Sequence, residues 1–309
     1  MTTRSACRLV LTASLFAGWY PAATGQDMKQ IADPLFHTEV DHPAFVKHHP
    51  RLLFDEAHHN RHTIAGRFKP FAELLTHDGF HVIPNRQPFR RATLKDCRVL
   101  VIANALANDD FTPDPAFTDA ECDVIRDWVS QGGALLLIAD HAPFGRAAKK
   151  LSQRFGVDMR GGYTMDSQHC YQLARWQLVF ARENGLLQDH PITRGRNRSE
   201  YIRRVMTFGG QSLRGPPGST TLLKLGDTAV DQPAFQSKEK TSAAGRAQAV
   251  ALEYGKGRVV VLGEAAMVSA QVLWIRGVGT QSPMGMNFPG VDNRQFTLNM
   301  LHWLAGRLP

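Results

Sequence analysis

The sequence predicts an α/β fold with a mostly parallel central sheet and an antiparallel hairpin near the C-terminus. Three observations lead there. Short, continuously apolar runs of strand length recur along the chain, as expected of strands covered on both faces. Runs with helical spacing alternate with them over short connections, the pattern of right-handed crossovers. Three of the apolar runs end in carboxylates, and two of those add histidine: Arg51–Phe54 into Asp55-Glu56-Ala57-His58-His59-Asn60, Ala134–Ala139 into Asp140-His141, and Arg258–Gly263 into Glu264.

Each element has a local reason. Residues 26–49 are polar and broken by Asp33-Pro34, His42-Pro43 and His49-Pro50, so they read as an irregular lead-in. A first strand follows over 51–55. A helix begins near Phe68 and stops near Asp78-Gly79, and strands follow over 80–83 and 98–104. Thr118 and Glu121 form a capping box that starts a helix with Cys122, Ile125, Trp128 and Val129 on one face; Gly132-Gly133 ends it. The strand 134–139 begins directly, and a helix over 143–155 follows. Residues 157–205 have weak periodicity and read as an insertion ending in a basic stretch. Strands are expected over 205–208 and 220–225, and residues 227–246 read as loop. Residues 249–254 and 258–263, joined by Gly255-Lys256-Gly257, form the hairpin. A helix over 295–304 closes the chain, so that residues 50–309 make one domain.

Composition narrows the class. With 43% hydrophobic and 21% charged residues among 309, the chain is an ordinary globular one. No run is long and apolar enough for a membrane-spanning helix. Residues 1–25 have the pattern of a secretion signal: Arg4 and Arg8, an apolar stretch from Leu9 to Tyr20, then small residues with cleavage expected near Gly25/Gln26. The expected location is therefore the periplasm or the medium. Loss of those two arginines takes the formal charge from +8 to +6. The basic residues are scattered and not interleaved with aromatics along the sequence, which argues against nucleic acid as a partner. Cys97, Cys122 and Cys170 remain, an odd number with no Cys-x-x-Cys spacing, so neither a disulfide framework nor a zinc ribbon is expected.

The candidate site residues sit where strands end, because ligands of open α/β sheets bind beyond the carboxyl ends of the strands. Glu56, Asp140, His141 and Glu264 are the catalytic candidates, with carboxylates as general acid or base and His141 as base. Glu264, buried near other carboxylates, should have a raised pKa. His58 and His62 are four apart and would share a helical face, so with His141 they are the metal-ligand candidates, zinc being the divalent ion such a set would take; His59 stands where a zinc-protease motif needs glutamate. Asp55, His59, Asn60, Thr207, Gln211 and Asn287 are ligand-binding candidates. Each also has a plain structural reading as a cap or turn residue, and Asn293 reads as structural. His169, His190 and His302 each stand alone and read as packed or solvent-facing.

The blocks Phe-Asp-Glu-Ala-His, Gly-Gly-Ala-Leu-Leu-Leu-Ile-Ala-Asp-His-Ala-Pro-Phe and Gly-Lys-Gly-Arg-Val-Val-Val-Leu-Gly-Glu-Ala-Ala-Met resemble the class I glutamine amidotransferase-like superfamily, in an exported bacterial branch, over about residues 50–306. The resemblance implies a flavodoxin-like three-layer α/β/α sandwich. Members that hydrolyse glutamine use a cysteine after a central strand and a late His-Glu pair. Here the matching turn is Asp140-His141, and Glu264 has no histidine beside it, so glutamine hydrolysis is not expected. Two functions remain: a hydrolase using the carboxylate and histidine groups, with or without a metal, or a non-catalytic module for a small-molecule, sugar or peptide ligand. The sequence does not fix the oligomeric state.

Overall fold

The computed structural model describes residues 28–275 and 279–309; the expected signal segment lies outside them. The central sheet has nine strands. Its parallel half is β3 (His81–Asn85), β2 (Arg51–Asp55), β4 (Val99–Ala103) and β5 (Ala134–Ile138), in that order. The strand β16 (Gly257–Leu262) joins β5 in parallel and forms an antiparallel hairpin with β15 (Ala247–Tyr254). Beyond β15 lie β11 (Leu213–Arg214) and β6 (Asp158–Met159), and β12 (Thr220–Lys224) also pairs with β15. The expected hairpin and parallel strands are thus present.

Alternation along the strands produces the layers. In β4, Val99, Val101 and Ala103 face one apolar cluster with α1 (Lys69–His77) and α6 (Asn293–Leu304). Leu100 and Ile102 face the other, with α2 (Asp119–Ser130), α3 (Phe144–Ala147) and α4 (Lys149–Arg154). Thr118 and Glu121 form the expected capping box at the start of α2. The helix expected over 143–155 is divided at Ala148 into α3 and α4.

The insertion is richer in strands than its sequence suggests. It contains β7 (Tyr163–Met165), β8 (Cys170–Tyr171) and β9 (Ala174–Ala181), then the short helix α5 (Pro191–Arg194). β9 pairs with β10 (Arg204–Met206), and β7 with β13 (Val230–Gln232), which also takes β14 (Thr241–Ser242). A separate small sheet joins the N-terminal strand β1 (Met28–Ala32) to β17 (Ala270–Ile275), which pairs with β18 (Gly279–Gly285). The lead-in expected to be irregular over 26–49 thus carries a strand, β1, because β17 supplies it a distant partner; the rest of it up to β2 is irregular, and Asp78 fixes it by accepting the Ala44 amide.

Candidate functional site

Parallel order brings the ends of β2, β4, β5 and β16 to one edge of the sheet. The candidate residues there divide into two groups. The first surrounds Asp55, on the side of the sheet that carries α2. His58 Nδ1 lies 2.9 Å from Asp55 Oδ2, and its Nε2 lies 3.0 Å from Glu121 Oε1. The ring stacks on Phe89, with centroids 4.8 Å apart, and is only 8% exposed. Burial opposes a charged ring, but the hydrogen bonds and charges of Asp55 and Glu121 outweigh it and hold the His58 pKa above its ordinary value. Only the imidazolium has two N–H donors to offer two carboxylates. Glu121 also accepts the Phe89 amide and the Thr118 amide and hydroxyl. Asn60 completes the group by donating to Asp55 Oδ2 and accepting the His58 amide.

Of the residues around this group, Glu56 and His59 are likewise engaged, whereas His62 Nδ1 is buried without a hydrogen-bond partner. Glu56 accepts the Ile64 amide and pairs with Arg86, which follows β3, so its carboxylate is directed away from β5. His59 is exposed and faces Asp109. No helix runs through residues 56–67, and His59 has φ +43°, so His58 and His62 do not share a helical face. His62 is buried against Phe68, and burial together with the charges of Arg67 and Arg61 lowers its pKa to about 3. Among the described residues no group of three or more His, Cys, Asp or Glu side chains is arranged so that it could hold a metal ion.

The second group stands at the ends of β5 and β16, where Ile138 pairs with Leu262 and the next residues bring Asp140 beside Glu264. Glu264 is fully buried and accepts the Ala266 and Met267 amides at 2.6 and 2.7 Å. Burial, then the charge of Asp140, raises its pKa well above the usual carboxylate range, against those amide bonds. The loop over it needs glycine: a Cβ on Gly210, at φ +117°, would lie 2.4 Å from the Gly263 carbonyl oxygen. Gln211, in the same loop, donates to the Ala139 and Asp140 carbonyls and accepts the Gly161 amide, so it is a fully bonded strut. Thr207 is buried and donates to Gln248.

Asp140 and His141 are different. Both are half-buried. Asp140 donates its amide to Asn104 Oδ1 and accepts the His141 amide on Oδ1. His141 Nδ1 lies 2.8 Å from the Ala142 carbonyl, which fixes the proton on Nδ1 and leaves Nε2 as an acceptor. Its ring stacks on Tyr163 at 4.5 Å. Burial and the charge of Asp140 raise the Tyr163 pKa.

Asn287 lies apart, donating to Asp33 and to the Gln271 carbonyl beside β1 and β17. Asn293 bonds the backbone of Met206 and Met267. Two of the three isolated histidines have carboxylate partners: His302 meets Asp78 at 2.7 Å in full burial, and His169 meets Asp166 at 3.0 Å. His190 caps α5. Burial raises the thiols of Cys97 and Cys122 to about 11, which removes them as nucleophiles near neutrality. Two open hollows, of about 390 Å³ beside Trp303 and about 640 Å³ beside Trp128, lie toward the opposite ends of the parallel strands.

Sequence reasoning missed Glu121, Asn104 and Tyr163. Glu121 was visible only as a capping residue, and one capping oxygen leaves the other for His58. Asn104 reads as the last residue of a strand; at φ +50° it turns to hold Asp140. Nothing local marks Tyr163, which lies in the insertion.

No protein-family model matches the sequence, and no curated protein matches it. Among solved structures, the mmIFT52 N-terminal domain superposes with a TM-score of 0.58 at 14% identity, over 82% of this chain and 97% of that one. A cytoplasmic protein from Salmonella typhimurium gives 0.49 at 15% identity, over 82% and 98%. A putative ThuA-like protein from Bacteroides uniformis gives 0.42 at 14%, over 88% and 95%. At these identities the likeness to the first is one of fold: a shared α/β architecture, with no particular branch singled out.

Proposed function

We propose that this protein binds a polar ligand, a sugar or a peptide, at the lip formed by Asp140, His141 and Tyr163. One contrast supports the reading. Asp55, His58, Gln211 and Glu264 spend their polar atoms on the protein itself, whereas Asp140 Oδ2 and His141 Nε2 accept no hydrogen bond from the described residues. They stand half-buried beside an aromatic ring, the usual composition of a ligand site. A thermal-shift screen of sugars and peptides against the wild-type chain and His141→Ala tests it. A ligand should stabilise the first and not the second; equal stabilisation of both would remove His141 from the site.

A second reading, hydrolysis, is favoured by the Asp140–Glu264 pair. A buried acid with a raised pKa next to a carboxylate, and an imidazole with a free Nε2, is the provision for moving a proton. Glu264 is too deeply buried to touch a ligand, so in this reading it acts through Asp140. A branch of the amidotransferase-like superfamily that lacks the cysteine nucleophile and export after cleavage near Gly25/Gln26 complete the proposal; residues 26–49 would then be the lead-in to a single domain over 50–309. The mass of the mature chain recovered from the producing cell tests the cleavage.

A further inference from the structure

The lip continues in both directions as a row of rings. Phe144, itself buried beneath the lip, lies 6.0 Å from the ring of His141 and links it to Phe111, 6.2 Å beyond, so the rings open to a ligand are those of Phe111, His141, Tyr163 and Phe235. On the other side, Phe235 meets Tyr163 at 5.6 Å. The two outer rings are 44% and 46% exposed, large apolar surfaces for loop residues. Phe111 has φ +56°, a conformation uncommon outside glycine and asparagine, and its ring remains on the surface. A cation stands near each half of the row. The Arg61 guanidinium lies 5.1 Å over Phe111. Arg146, one turn into α3, packs its stem against Gly161, two residues before Tyr163. Both arginines are exposed, and neither has a carboxylate partner among the described residues.

We propose that this row is a track for an acidic polysaccharide, an inference that rests on the ligand-binding reading of the lip. The apolar C–H faces of sugar rings lie flat on aromatic rings. Sugar hydroxyls donate to Asp140 Oδ2 and His141 Nε2, and the uronate carboxylates meet Arg61 and Arg146. β7, which begins at Tyr163, is bonded on one side to β13 and on the other to the Gly210 and Arg175 carbonyls, so the track offers no free strand edge of the kind an extended peptide pairs with. Single-stranded nucleic acid also stacks on rings, but it brings a phosphate with every base, and Asp140 at the centre of the row opposes that density of charge. A glycan with sparser carboxylates fits both signs.

The test is calorimetric titration of the mature chain at low salt with an oligogalacturonate, a neutral oligosaccharide of matched length and a single-stranded oligonucleotide. The oligogalacturonate should bind, more weakly as salt rises. Its affinity should fall about tenfold in Phe111→Ala/Phe235→Ala and in Arg61→Gln/Arg146→Gln, exposed positions where loss of one good contact is of that order; unchanged thermal unfolding confirms that each variant is folded. Equal affinity for the neutral oligosaccharide with no loss in the arginine variant overturns the acidic inference. So does binding of the oligonucleotide alone, or of no glycan. The lip reading is separable: it survives if some other ligand binds in a manner lost in His141→Ala, and it falls if no ligand depends on Asp140 or His141.

Discussion

Two acid–imidazole groups lie on the same edge of one sheet, and they have opposite character. Around Asp55 every polar atom has a protein partner: the buried ring of His58 is held between two carboxylates, and Glu121 ties that ring to the cap of α2 and to the Phe89 loop. Around Asp140 the bonding is directed inward only in part, and one carboxylate oxygen and one ring nitrogen remain outward. The difference arises from what covers each strand end. A capped helix and two phenylalanine rings close over the first. The second is roofed on one side by the Gly209-Gly210 loop, which covers Glu264 and, through Gln211, reaches only the carbonyl of Asp140, leaving its carboxylate half-exposed. Residue type alone does not separate a structural acid–histidine pair from a site; the number of unspent donors and acceptors does.

The contrast breaks most sharply at His58. His58→Ala leaves Asp55 and Glu121 buried without their shared cation, and should cost about 3–5 kcal/mol of stability, read by urea unfolding. An unchanged midpoint would mean that the group is not the clamp described. The next largest effect is on pH dependence. The folded pKa of His58 is raised, so its contribution is fully present below the unfolded value near 6.5 and is lost as pH rises through the folded value. His62 has the opposite sign: with a folded pKa of about 3, its contribution is present above 6.5 and disappears as pH falls toward 3. Unfolding of the wild type across pH should show both limbs, and the alkaline one should be shallower in His58→Gln, where Glu264 still contributes to it.

Glu264→Gln is a smaller change. The neutral amide resembles the protonated acid, but its NH2 must face one of the amides that Glu264 accepts, at about 1–2 kcal/mol. Because the folded pKa of Glu264 is raised, the wild type loses stability as pH climbs above about 4.5, and the variant should not. Parallel curves for the two proteins would place the proton elsewhere. Least of all should His141→Ala disturb the fold, within about 0.5 kcal/mol for a half-exposed side chain, while abolishing ligand-induced stabilisation. A large loss of stability there would move His141 into the structural class with His58.

Much of this arrangement could be read from the chain. The apolar strands, the Thr118–Glu121 capping box and the β15–β16 hairpin follow from spacing and turn residues, which are local. So does the placement of Asp55, Asp140 and Glu264 at strand ends. What was not legible depends on strand order and on long-range cover. The pairing of His58 with Glu121 joins residues 63 apart, and no spacing rule reaches that far. The expected helical face for His58 and His62 failed because Asn60 and Asp55 fold the segment into turns that compete with helix. Strand β7 and Tyr163 went unseen because their neighbours, β13 and His141, belong to other parts of the chain.

The small sheet has a bearing on how the molecule comes to be made. β1 is joined along its length to β17, with Met28 opposite Ile275 and Ala32 opposite Gln271. During synthesis the first strand therefore has no mate until almost the whole polypeptide has emerged, and contacts so distant in sequence form slowly. The small sheet therefore ties the two ends of the described chain together, and β1 can dock only after β17 has formed.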